Sequence, residues 1–185
     1  MTTVTSLKSP WINDDGLPVY FPGDAGTVMR GGERDYDGRH ETFVVIDLTA
    51  LDAYDATSEQ IVHETLSIPA GAFIEDVQVV VLKETAGTNA NLDVGLVKQS
   101  DRTTEIDFNG FLTAADGFNG GTEVGSIWTY SKADSATVTT DGGALIGTRL
   151  ASTGLITASA DTADFSSGII EFRVHWFVPL AADYT

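Results

Sequence analysis

An eleven-residue run, Gly168–Val178 (GIIEFRVHWFV), constrains this chain more than any other part of it. Ile170, Phe172, Val174, Trp176 and Val178 fall on one side of an extended backbone. Glu171, Arg173, His175 and Phe177 fall on the other. A period of two is the period of a strand, and wound into a helix the same letters would leave no apolar stripe. The chain must therefore build a sheet with one covered face.

A second strong strand is Ile74–Lys83 (IEDVQVVVLK). Val77, Val79 and Val81 share one face, while Gln78, Val80 and Leu82 share the other. Both faces are partly apolar, which predicts an interior place in the sheet. Glu41–Leu48, rich in β-branched residues, reads as the first strand of a folded body. Glu59–Ile68 reads as the next and is stopped by Pro69-Ala70-Gly71. Leu92–Val97, Val124–Tyr130, Ala144–Gly147 and Leu155–Ala160 are further strands, and Phe111–Ala115 reads as a single helical turn. Parallel folds need crossover connections of about a dozen residues or more, and no helix of that kind is legible. The expected fold is all-β: an antiparallel β-sandwich, jelly-roll-like, over residues 41–185.

Residues 1–40 differ in kind. They hold three of the five prolines and six glycines, so no period survives for more than a few residues. They also carry Trp11, Val19, Tyr20 and Phe21. Each such side chain gains about 1.5–3 kcal/mol on burial. The expectation is an extended N-terminal arm whose four apolar side chains bind a partner. Four basic residues against six acids make the arm nearly neutral at −2, and the body carries the remaining −15.

Charge narrows the partner. Ten lysines and arginines face twenty-seven acids, a formal net charge of −17. A phosphate backbone needs basic surface to displace its counterions, so no nucleic-acid partner is expected. An anionic membrane is disfavoured by the same sign, and the Val77–Leu82 stretch is too short to span one. Solubility, a complementary basic partner and cation binding remain as uses for the charge. There is no cysteine, which removes disulfides and thiolate chemistry. The opening residues show no apolar signal core, so synthesis in a cytoplasm is the expectation.

Candidate chemistry is thin. His40, His63 and His175 lie in no nucleophile motif, and no GxSxG occurs. Twenty-seven acids guarantee some carboxylate pair at glycosidase spacing, which strips that pattern of meaning. Glu105, Asp107, Asn109 and Asp116 partly fit a calcium loop, but the wrong acids stand in its first and twelfth positions and its flanks are not helical. An Asx-rich turn explains the same letters. No catalytic residue, metal site or cofactor is expected. Trp128 and Tyr130 share a strand face, and exposed together they would make a platform for sugars.

Three runs carry a family resemblance: 67–81 (SIPAGAFIEDVQVVV), 92–97 (LDVGLV) and 106–116 (IDFNGFLTAAD), with Gly168–Val178 as the closing strand. Together they resemble small β-sandwich virion proteins of tailed bacteriophages that decorate or cement the capsid shell. What the resemblance implies is a non-enzymatic, trimeric jelly-roll protein bound outside an icosahedral head, with the major capsid protein as partner and the virion surface as location. Two other readings stay open: a receptor- or carbohydrate-binding module of a tail or fibre, and a hydrolase on a sandwich scaffold.

Overall fold

A computed structural model describes residues 11–12, 18–19, 30–36, 39–51, 60–115, 117–118, 121–132 and 142–179. Its strands are β1 (Trp11–Ile12), β2 (Pro18–Val19), β3 (Arg30–Tyr36), β4 (Arg39–Asp47), β5 (Gln60–Ile61), β6 (Ser67–Ile68), β7 (Phe73–Gly87), β8 (Asn91–Lys98), β9 (Glu105–Ala115), β10 (Ile127–Ser131), β11 (Gly154–Asp161) and β12 (Phe165–Phe177). A 3-10 turn, Leu48–Ala50, follows β4. Asp47 caps it by accepting from the Thr49 amide at 3.0 Å.

Two antiparallel sheets make a sandwich. The first runs β10-β7-β12-β4-β3. The second runs β5-β11-β8-β9, with β6 also paired to β11. From β4 onward the chain crosses between the sheets in a fixed pattern: β4 in the first, β5 and β6 in the second, β7 back in the first, β8 and β9 in the second, β10 in the first, β11 in the second, β12 in the first. Closing strand β12 lies between β7 and β4, and β11 lies between β8 and the β5/β6 position. That order is the jelly roll, two Greek keys wrapped into facing four-stranded sheets. Strand β3 extends the first sheet beyond β4. Strands β1 and β2 form a separate two-stranded ladder.

The core follows from the alternation. Val77, Val79 and Val81 of β7, Val44 and Ile46 of β4, and Ile170, Phe172 and Val174 of β12 all point inward and are buried. Leu92, Val94 and Leu96 of β8 and Ile156, Ala158 and Ala160 of β11 meet them from the second sheet. Phe111 and Phe172 bridge the two sheets with ring centroids 5.8 Å apart. Gly95 allows a close approach: a Cβ there would collide with the carbonyl oxygens of Asp107 and Phe108, where β9 bulges over β8.

Several sequence expectations need correction. Residues 59–68 are not one strand. The chain breaks between β5 and β6, because the His63 ring accepts from the amides of Thr65 (3.3 Å) and Leu66 (3.2 Å) and so holds a turn. Phe111–Ala115 is not helical but the end of β9, and the Ala114 amide donates to the Asp93 carboxylate of the neighbouring strand. Ala144–Gly147 is a turn, hung on β9 by Leu145 N–H to Gly110 O at 2.8 Å. The expected strand at 124–130 begins only at Ile127, after a turn closed by Ser126 N–H to Glu123 O at 3.2 Å.

Candidate functional site

The outer face of the first sheet carries the features that distinguish this sandwich from a plain scaffold. At one end, register places His175 of β12 directly opposite Glu41 of β4 and Asp76 of β7. Its Nδ1 lies 2.6 Å from Asp76 Oδ1, and its Nε2 lies 3.1 Å from Glu41 Oε2. Each ring nitrogen faces an acceptor, and only the imidazolium can donate from both. Hydrogen bonds to Asp76 and then Glu41 push its pKa up to about 9, against the opposing effect of burial. A protonated ring with both nitrogens committed cannot take a proton from a nucleophile. The cluster is a three-strand charge clasp rather than a general base.

The neighbouring ion pairs are also internal to the face. Arg173 meets Glu171 at 2.6 Å, and Arg39 meets Glu75 at 3.2 Å. On the core side of the same end, Trp176 stacks on His40 with centroids 4.3 Å apart and donates to Thr42 Oγ1 at 2.9 Å. That indole lies on the apolar face of its strand, where the alternation puts it. Thr42→Val should cost about 1–3 kcal/mol, because the buried indole N–H would lose its acceptor. Urea unfolding of the pair of proteins measures it, and an unchanged midpoint would show that the bond contributes nothing.

Further along β7 the outer face turns apolar and exposed. Leu82, Val124 and Ile127 are 45 %, 64 % and 60 % exposed. The two-sided apolarity of 74–83 did correspond to an interior strand, since β7 lies between β10 and β12. Its second apolar face, however, is open at Leu82 instead of covered.

Of the partner-binding residues expected in the arm, Trp11 and Val19 stand directly opposite each other in the β1–β2 ladder. Tyr20 and Phe21 lie outside the described residues. Of the cation candidates, Glu105, Asp107 and Asn109 lie on β9 and Asp116 lies outside the described residues. Glu105 Oε1 accepts from the Phe108 amide at 3.4 Å, and burial raises the Asp107 pKa. Among the described residues no three histidine or carboxylate side chains are arranged to hold a metal ion. Trp128 and Tyr130 face the core. Trp128 packs on Phe118 at 4.5 Å, and Tyr130 is 8 % exposed. They do not form an exposed platform, which removes the feature the carbohydrate-binding reading required.

No protein-family model and no curated protein matches the chain. Three solved capsid structures resemble it in fold. A chain of the acidic stable capsid of Helicobacter pylori bacteriophage KHP30 shares 14 % identity, with 82 % of this chain and 94 % of that one covered, at a TM-score of 0.48. A chain of the Cyanophage Pam1 capsid asymmetric unit shares 11 % identity over 90 % of this chain and 97 % of that one, at 0.44. A chain of the capsid of Ralstonia phage GP4 shares 12 % over 76 % and 86 %, at 0.46.

Proposed function

We propose that this chain is a structural protein of a tailed-bacteriophage virion. It binds the outside of an icosahedral shell as a homotrimer, contacts the major capsid protein and reinforces the joints between capsomers. The observation that carries this reading is the jelly-roll strand order, built from the very runs that resemble phage decoration proteins. Run 67–81 spans β6 and most of β7, 92–97 lies in β8, 106–116 begins in β9, and 168–178 is most of β12. The mechanism is mechanical, since interface area buried across a joint resists pressure from within.

In this reading the arm of residues 1–40 is the anchor, through the part of it that precedes β3. Ordering a segment costs about 1–2 kcal/mol per residue in backbone entropy, and burying Trp11, Val19, Tyr20 and Phe21 against the shell offsets part of that. The test is co-sedimentation of the full chain with undecorated shells. Trp11→Ala combined with Tyr20→Ala should abolish pelleting while the far-ultraviolet circular dichroism stays unchanged. Undiminished binding of that variant would remove the arm as anchor. Light scattering showing a monomer both free and shell-bound would remove the trimer.

A further inference from the structure

We propose that the corner formed by Leu82, Val124 and Ile127, with the carboxylates of Glu84 and Glu123 beside it, docks a protein surface presenting apolar side chains next to lysine or arginine. The inference rests on the function proposed above in assigning that surface to the shell.

The corner is assembled by register. Ile127 of β10 stands opposite Val80 of β7, so their side chains share the outer face. Leu82 follows two residues along β7 and returns to that face. The turn before β10 is laid beside it by Val81 N–H to Ser126 O at 3.0 Å and Gly125 N–H to Val81 O at 2.9 Å. Gly125, at φ +87, gives the turn its left-handed step and leaves Val124 at the tip. Single exposed apolar residues are ordinary, whereas three converging at the margin of a sheet mark a contact surface.

Charge chooses the occupant. Elsewhere on this face Glu171 holds Arg173, Glu75 holds Arg39, Glu41 and Asp76 hold His175, and Asp47 accepts from Thr49. Among the described residues neither Glu84 nor Glu123 has an ion-pair partner. Glu84 is exposed, and its carboxylate lies beside Gly121, where the turn begins. Lys83, opposite the outward Ile169, is exposed on this face too, and the two acids still outnumber it. A second copy of this chain, itself at −17, would set like charge against these two acids. An anionic lipid surface fails for the same reason. A sugar would want an aromatic platform, and Trp128 faces the core, packed on Phe118. A basic-rimmed apolar protein surface satisfies both halves of the corner.

The experiment compares three full-length proteins for binding to purified undecorated shells: wild type, Val124→Ser with Ile127→Ser, and Glu84→Lys with Glu123→Lys. The changed side chains are exposed, and equal thermal melts will confirm equal folding. Both variants should bind at least about tenfold more weakly than wild type, and the charge variant should also lose salt dependence. Wild-type binding with both variants unimpaired would overturn the corner and leave the virion reading standing. A wild type that fails to bind shells would overturn both. Self-association of the wild type without shells, lost in the serine variant, would overturn the proposal in favour of a second copy as occupant.

Discussion

Replacing Phe172 by alanine is expected to lower the free energy of unfolding by about 3–5 kcal/mol. Phe172 sits on β12, which is hydrogen-bonded on both sides, opposite Val44 of β4 and Val79 of β7. It is fully buried, and its ring meets Phe111 of the facing sheet. Removing it empties the space between the two sheets. That space cannot close easily, because the Phe111 carbonyl is held by the Gly143 amide at 3.0 Å. Phe177 supplies the comparison. It lies at the other end of the same strand, only half-buried against Phe73 at 5.3 Å, and Phe177→Ala should cost about 1–2 kcal/mol. A domain's whole stability is about 5–15 kcal/mol, so Phe172→Ala should lower the melting temperature by roughly 10 °C. Urea and thermal unfolding of both variants give the ratio. Equal small losses would mean that the sheets do not pack through this pair.

What the sequence disclosed and what it hid follow from the range of the interactions. Strand β12 and the strong part of β7 were legible because period-two alternation is a local property; Ile170, Phe172, Val174 and Trp176 came out buried as read, while Val178, read on the same face, lies past the end of β12 and is exposed. The turn at Pro69–Gly71 was marked by local chemistry in the same way. The break at 62–66 was hidden, because a histidine accepting from amides two and three residues on leaves the apolar letters of a strand in place. The end of β9 was hidden for a longer-range reason. Its pairing with β8 is irregular, and Ala114, at φ +46, is held by Asp93 twenty-one residues earlier. The exposed corner was half visible, as apolar letters at Val80 and Leu82. Only the packing decides that such a face is left open. The charge clasp was invisible, since Asp76 and Glu41 lie 99 and 134 residues from His175 and meet it only through register.

The clasp makes its own prediction about pH. Free histidine titrates near 6.5, and His175 in the fold is pushed up to about 9. Folding therefore favours the protonated ring. The stabilisation is fully present below pH 6.5, fades between 6.5 and 9, and is gone above 9. Across that window the wild type should lose about 3 kcal/mol through this group. The ring is 25 % exposed, Asp76 30 % and Glu41 8 %, so solvent screens the contacts only in part. The charged groups facing the ring are Asp76 from β7, Glu41 from β4 and, two residues back along β12, Arg173, itself paired with Glu171. Arg34 of β3 stands opposite Glu41 in the next ladder. His175→Gln removes the cation and leaves two acids facing each other across the middle strand. At pH 7 it should cost about 2–4 kcal/mol, chiefly because Glu41, 8 % exposed, and Asp76 would both lose the imidazolium between them. Above pH 9 the variant and the wild type should converge, because the wild-type ring is then neutral as well. Subtracting the two stability–pH profiles isolates this ring from His40 and His63. A constant difference from pH 6 to pH 10 would show that the imidazole is not held charged between its two acids, and that β4, β12 and β7 are joined at this end by backbone ladders alone.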